Sequence, residues 1–334
     1  MMLWFSRQVA RHISKVLSVL TLSNIRGSRR RVNKTGTRMT RENKRKPEVS
    51  IIGTGRLGTA LALALTERGY QISALVARRR ESARRAAALL DVPSRVPALK
   101  ELADCPPSDL LIIATPDDQI PKVTGALAKL EWDLAGKTPI VLHTSGALSS
   151  DVLAPLRKKN WSTGSLHPLV SVSEPKAGAR LLRSAFWCVE GDTRAVRLAR
   201  SLVRDLEGKS LAISSGNKPL YHAAAVMASG NVTALFDVAI EMLGQCGLNP
   251  KQAQEALLPL LASAVRNLEN LNPSRALTGT FARGDLETVK RHLNALQKNK
   301  SALEIYKLLG RRSLDLSAAR LDPAVVKRIR RLIG

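Results

Sequence analysis

The chain has 334 residues, room for two domains of ordinary size; 44% are hydrophobic, enough for a core, but only 3% are aromatic, which disfavours an aromatic-rich sandwich and suits Ala- and Leu-packed helical layers. Its three cysteines, Cys105, Cys188 and Cys246, lie far apart without a CxxC spacing, which argues against a disulfide framework or a metal site and for a reducing, cytoplasmic setting. The formal charge of +26 resembles a nucleic-acid signature until it is divided: residues 1–47 hold thirteen Lys or Arg against Glu42 alone, and elsewhere the arginines are dispersed among acids, a balance that favours anionic ligands such as phosphates without implying duplex binding.

The first 47 residues read as a basic extension with no folded domain before Glu48. Arg7, Arg11 and Lys15 are spaced four apart opposite apolar residues, as in a transit peptide or a helix lying on a membrane surface. The apolar run VLSVLTL is too short to span a bilayer. The plainer reading is an overextended coding start, with Met39 rather than Met1 opening the protein; it is preferred to membrane contact by residues 1–38.

Glu48 to Ile52 forms a short apolar strand, and Gly53, Gly55 and Gly58 follow in the order G-x-G-x-x-G, with Thr54, Arg56 and Leu57 between them. The first glycine allows a tight turn, the second lets backbone approach a pyrophosphate, and the third lets the next helix pack on the strand. That helix runs from Leu57 to Arg68 with Gly69 as its cap, and Tyr70 to Val76 supplies the next strand. The strand–glycine loop–helix–strand context makes this a dinucleotide-binding loop. At the end of the second strand, Ala77 stands where NAD-binding proteins carry a ribose-binding acid. Arg78 and Arg79 follow and can donate forked, charge-assisted hydrogen bonds to a 2′-phosphate, so the expected cofactor is NADP. The alternative is a solvated basic helix start, since Arg84 and Arg85 continue the run, but cations at a helix N-terminus are unfavourable without a bound anion.

DLLIIATPDD is a buried strand ending in Ala114, Thr115 and Pro116, which should line the cofactor cleft. TPIVLHTSGALSSDVL is another, running into Ser145 and Gly146, where nicotinamide or substrate polar groups are expected. SLHPLVSV and AFWCVEGD close the sheet, up to about Ile213. From there the periodicity turns helical. PLYHAAAVMASGNVTALFDVAIEMLGQCG predicts one long helix, in which Asn231, Asp237 and Glu241 exclude a membrane span; three more amphipathic helices follow it. The fold class is therefore α/β: an N-terminal Rossmann-type, doubly wound, mostly parallel sheet, then an all-α domain, with the active cleft between them.

Four groups can do chemistry. Lys218 and His222 are four apart on one helix face, with Ser229 seven further on; the pair could protonate a carbonyl oxygen as hydride arrives, or be a solvated first turn. Asn231 lies about 180° round from His222 unless Gly230 kinks the helix. His167, fixed by Pro168, could face substrate as acid or base, or be a turn histidine. In ALTGTFARGDLETVKRHL, Arg283 could hold a substrate carboxylate bidentately, while Asp285 reads as a helix N-cap.

HTSGALS, SLHPL, YHAAAVMAS and LTGTFARGD, in that order and with the later His292, resemble the recurring segments of a family that joins a Rossmann-like NADP-binding domain to a C-terminal domain of unknown function. The resemblance runs from Glu48 to about residue 320, and departs where Thr280 stands in place of an expected proline. More distantly the chain is similar to ketopantoate reductases, pyrroline-5-carboxylate reductases, prephenate dehydrogenases and deazaflavin-dependent NADP oxidoreductases, within the 6-phosphogluconate dehydrogenase C-terminal-like superfamily. The histidine–proline pair of prephenate dehydrogenases implies a role for His167 with Ser145 beside it, and Lys218–His222 resembles the Lys–Asn pair of hydroxyacid dehydrogenases. Such relatives imply a homodimer formed through the helical domain. The implied organisation is an extension (1–47), a dinucleotide-binding core (48–165), closing strands and helix (166–213), a helical substrate and dimerisation domain (214–320) and a basic C-terminal helix or tail (321–334). The expected activity is hydride transfer between NADPH and a small carboxylated oxo or imino compound; the rivals are an NADP-binding sensor without turnover and, less favoured, a nucleic-acid binder.

Overall fold

The computed structural model describes residues 45–90, 95–132, 134 and 138–334; the stripe of Arg7, Arg11 and Lys15 and the candidate start Met39 lie outside the described residues. Seven strands make one sheet in the order β2-β1-β3-β4-β5-β6-β7. β1 (Val49–Ile52), β2 (Ile72–Val76), β3 (Leu110–Ile113), β4 (Ile140–His143) and β5 (Ser162–Pro168) run parallel. β6 (Phe186–Gly191) returns antiparallel on β5, and β7 (Lys209–Leu211) pairs parallel with β6. The sequences VSII and LLII are unbroken apolar runs because both faces of these strands are covered, as parallel strands between helical layers require. Successive side chains alternate between two cores: Ile51 and Ile112 join one, Ile52 and Ile113 the other.

One core is closed by α1 (Arg56–Glu67), α2 (Arg80–Leu90), α4 (Pro175–Leu182) and α5 (Thr193–Asp205), the other by α3 (Ile120–Ala128) and the Leu153–Leu156 turn. In α1 the buried face is Ala60, Leu61, Ala64 and Leu65, and the helix stops where Gly69 turns left-handed at φ +75°. Each fully buried leucine of this set contributes about 1.5–3 kcal/mol. The strand ends sit level, because Gly53 N–H bonds to Val76 O, Ala114 N–H to Ile52 O and Thr144 N–H to Ile113 O. All the sheet's parallel strands thus deliver their following residues to one edge.

The expected single helix over PLYHAAAVMASGNVT is two: α6 (Lys218–Ala228) and α7 (Gly230–Gln245), separated at Ser229 with φ −129° and ψ −78°. Ser229 Oγ donates back to Ala225 O, and glycine, the weakest helix former after proline, follows at position 230. α8 (Pro250–Asn270) packs on α7, and α9 (Leu286–Ala295), α10 (Lys300–Ser317) and α11 (Pro323–Ile333) share a small core of Val289, Leu293, Leu314, Ile329 and Ile333. Asp285 caps α9, accepting the Thr288 N–H at 3.0 Å, as its place before Leu286 suggested. Across α6, α7 and α8 only Lys218 and Ala253 are buried, and Leu220, Met227, Leu260 and Leu268 are exposed. Asn231, Asp237 and Glu241 were expected to exclude a membrane span, yet Ser215–Gln245 is long and apolar enough to cross one by length and composition.

Candidate active site

A cleft of about 380 Å³ opens at the strand ends between β1, β2 and β3. Gly53, Thr54, Gly55, Arg78, Arg79, Ala114, Thr115 and Pro116 line it, as their positions after strands predicted. Gly53 has φ +109°, and a Cβ there would meet the Ala114 carbonyl, while a Cβ on Gly58 would collide with the Gly53 carbonyl. Gly58 is therefore the close-packing glycine behind the cleft, Leu57 packs on the core, and Arg56 is exposed at the first position of α1. No side chain caps α1 and no acid occupies its first turn, so its free N–H groups face the cleft as an anion site would. Thr54 Oγ1 and Thr115 Oγ1 are buried without a hydrogen-bond partner among the described residues.

The three arginines that open α2 divide. Arg80 is paired with Glu101, whose carboxylate also accepts the Ala98 N–H at 3.0 Å. That backbone N–H, then Arg80, holds the Glu101 carboxyl below its ordinary range. Arg78 and Arg79 remain exposed on the cleft, and among the described residues neither pairs with an acid.

Beyond the cleft a second cluster forms where β4, β5 and α6 meet. Asp117 joins the two regions: it directly follows the Pro116 of the cleft lining, and Ser145 Oγ donates to its Oδ2 at 2.8 Å. Ser145 Oγ also accepts the Ala147 and Leu148 N–H groups, at 3.2 and 3.0 Å. The hydroxyl's one proton and both lone pairs are thus engaged, which makes Ser145 a holder of the turn. His143 is fully buried; its Nδ1 accepts the Ser145 N–H at 3.1 Å and its Nε2 lies 3.2 Å from Ser149 O. Burial first, and the Lys218 charge second, push His143 down to about 3, so it is a neutral strut.

Lys218, the first residue of α6, is 0% exposed. Its ammonium donates to Ser145 O at 3.0 Å and to Ser165 Oγ, and stands 4.0 Å from Glu190. Glu190 in turn accepts the Ser150 N–H and hydroxyl, both at 2.8 Å. Burial lowers the Lys218 pKa, chiefly opposed by Cys188 and Glu190. One turn along the same helix His222 meets the same loop at Gly146. Its ring lies edge-on to His167, with centroids 5.5 Å apart. A Cβ placed on buried Gly146 would lie 2.8 Å from His167 Nε2 and closer still to His222 Nδ1, which has no hydrogen-bond partner. Two imidazole nitrogens therefore pack so closely on residue 146 that only a glycine fits there. Burial, then His222 and Lys218, bring His167 down to about 4, so its ring is uncharged at neutral pH.

Residues that the spacing did not single out complete this cluster. The Tyr221 hydroxyl lies 2.8 Å from His167 Nδ1, and Cys188 is the cross-strand partner of His167 in the β5–β6 pair. Tyr221 is adjacent to His222 in YHAAA, which was a usable signal; the strand register that brings in Cys188 and Glu190 was not. Two expected substrate groups stand apart from these contacts. Ser229 is exposed in the break after α6, and Arg283 is exposed at the end of the four-residue Thr280–Arg283 turn, ahead of left-handed Gly284.

Residues 34–168 match the Rossmann-like domain family and residues 185–313 match a domain of unknown function (DUF2520). No curated protein matches the chain. Among solved structures it is similar to a Bacteroides fragilis protein provisionally described as an NADP oxidoreductase, at 23% identity over 80% of this chain and 98% of that one, with a TM-score of 0.66. It is also similar to a pyrroline-5-carboxylate reductase from Coxiella burnetii, at 16% identity over 86% and 98% of the two chains, TM-score 0.53. A reductive aminase from Aspergillus terreus, solved with NADPH and ethyl-5-oxohexanoate, matches at 17% identity over 86% and 93%, TM-score 0.52. At these identities the likeness is one of fold.

Proposed function

Starting from a chain that carries a Rossmann-like domain followed by a DUF2520 domain, we propose that it is an NADP-dependent oxidoreductase acting on a small carboxylated oxo or imino compound. The observation that carries this reading is the continuity from an anion-ready cleft to the two imidazoles packed on Gly146, joined by the Asp117–Ser145 bond. The free N–H groups of α1 would hold the pyrophosphate, Arg78 and Arg79 the 2′-phosphate, and the unpartnered Thr54 and Thr115 hydroxyls other cofactor oxygens. NADPH, when bound, supplies hydride. His167 and His222 address the substrate atom that changes protonation, and Lys218 sets the Ser145–Gly146 loop from beneath rather than delivering a proton itself. Arg283 is retained as the substrate-carboxylate group only for a substrate that reaches the helical domain.

Catalysis, NADP, homodimer formation and a cytoplasmic setting are parts of one proposal. The dimer follows from the exposed apolar faces of α6–α8, the same faces that give Ser215–Gln245 its membrane-like composition. A second copy fits them better than a bilayer does, because α6 begins with a lysine locked inside the α/β half and α7 carries Asp237 and Glu241. Calorimetry with NADPH and NADH, then NADPH absorbance with a panel of 2-oxo acids and cyclic imines, tests the reading. Selective NADPH binding with oxidation by a panel member supports it. Selective binding without oxidation across the panel supports the sensor, and no binding of either nucleotide ends both.

A further inference from the structure

The two ends of the cofactor cleft carry opposite charge. Arg78 and Arg79 line it just past β2, while beyond β3 it closes on Thr115, Pro116 and Gln119. In the sheet order β2-β1-β3-β4, a dinucleotide with its 2′-phosphate on those arginines and its pyrophosphate at the start of α1 carries its nicotinamide past β3 toward β4. Asp117 stands on that route. It lies between the lining residues Pro116 and Gln119, and its Oδ2 accepts the hydroxyl of Ser145, two residues after β4, at 2.8 Å. Asp117 is exposed, and among the described residues its second oxygen, Oδ1, accepts no hydrogen bond. In the cluster beside it the other charges are matched or absent. The Lys218 ammonium, on which Asp117 also acts, has Glu190 at 4.0 Å, and burial keeps His143 and His167 neutral, at about 3 and about 4.

We propose that Asp117 is the counter-ion of the nicotinamide end, strengthening the hold on the oxidised cofactor and so favouring the direction in which hydride leaves NADPH. This rests on the NADP-dependent oxidoreductase reading and adds to it the direction of reaction. The dihydronicotinamide ring is neutral. Loss of hydride, two electrons with one proton, to the oxo or imino carbon of the substrate leaves the ring a cation. A carboxylate beside the ring attracts that cation and leaves the neutral form nearly untouched, so it also assists the transfer as positive charge develops. Arg78 and Arg79 do not offset this preference, because the 2′-phosphate they would hold is the same in both forms. Ser145 keeps the carboxylate in place: its one proton goes to Oδ2, which leaves Oδ1 for the ligand. Asp118, the next residue, is instead bonded to the Gln119 amide.

The test is titration calorimetry of the full-length protein with NADP⁺ and with NADPH, near pH 8, above the ordinary histidine range. In Asp117→Asn, whose amide oxygen can still accept the Ser145 hydroxyl, NADP⁺ should bind about fivefold more weakly while NADPH binds as before, the effect of removing one unit charge from a partly exposed contact with a cation. Asp117→Ser should repeat the shift with a different side chain, and retained NADPH affinity shows that each variant is folded. Asp118→Asn deletes the same charge one residue along and should leave the ratio of the two affinities as it is in the wild type. An unchanged ratio in the Asp117 variants, or an equal shift in Asp118→Asn, overturns the proposal and leaves the nucleotide reading standing. A wild type that binds neither form ends both.

Discussion

Replacing Arg78 and Arg79 together by alanine should turn a site that prefers NADPH into one that treats NADPH and NADH alike. Both guanidinium groups line the cleft in the open, and among the described residues neither has a carboxylate, whereas Arg80 is committed to Glu101. A hydrogen bond to a charged group contributes about 1.5–3 kcal/mol, and exposure places each of these at the lower end. Two arginines on one phosphate share its charge and do not add, so the pair is worth about 2 kcal/mol, or about thirtyfold in Kd. Calorimetry with both nucleotides reads the ratio directly. The double variant should bind NADH as the wild type does and lose its preference for NADPH, and the wild-type preference should shrink as salt is raised. Equal weakening of both nucleotides, or a wild type that takes NADH as tightly, would refute the reasoning and return Arg78 and Arg79 to a solvated turn.

Lys218→Met strands Glu190 without its buried counter-charge and should cost about 3–5 kcal/mol in urea unfolding; a loss below about 1 kcal/mol would contradict the role given to it. His143 and His167 are held at about 3 and about 4 when folded, against an ordinary 6.5. As pH falls below 6.5 the unfolded chain takes up protons that the folded one refuses, so their stabilisation is whole above 6.5 and declines toward pH 4, by at most about 1.4 kcal/mol per pH unit for each histidine. Thermal melts between pH 7 and 5 should show this slope, and His143→Gln should flatten it. Gly146→Ala would push a methyl group into both histidine rings and should lower turnover a hundredfold or so while NADPH affinity holds; weakened nucleotide binding would overturn the role given to this pair. Leu220→Asp combined with Leu260→Asp should convert a dimer to a monomer by light scattering, and a monomeric wild type would remove the proposed interface.

The α/β half was readable because its signals are local. Apolar runs between glycines mark strands with both faces covered, and Gly53, Gly55 and Gly58 lie where a helix must start tight against a strand. Arg78 and Arg79 follow β2 after Ala77 alone, so their place on the cleft needed only the strand's end. The cluster around Lys218 and His167 was half readable. His167, Lys218, His222 and Gly146 do come together, yet neither the depth of Lys218 nor the saturated hydroxyl of Ser145 has any trace in their spacing. Both depend on partners far along the chain: Asp117 after β3, and Glu190 on β6. Cys188 enters through the register of an antiparallel pair, which slides freely in a sequence reading until a buried face pins it. The interruption at Ser229 was foreshadowed by Gly230 alone, against an Ala-rich stretch that favours continuation.

A lysine sealed at the root of a helix behaves as a rivet. The ammonium of Lys218 is fastened to Ser145 and Ser165, so lifting the foot of α6 from the sheet means drawing a cation out through apolar packing. Any rocking of the distal helices that admits or releases a ligand has to flex further along, and the ladder is already severed eleven residues on, at Ser229. The foot, with His222 one turn above it, then stays put against the sheet that carries His167 while the shank swings.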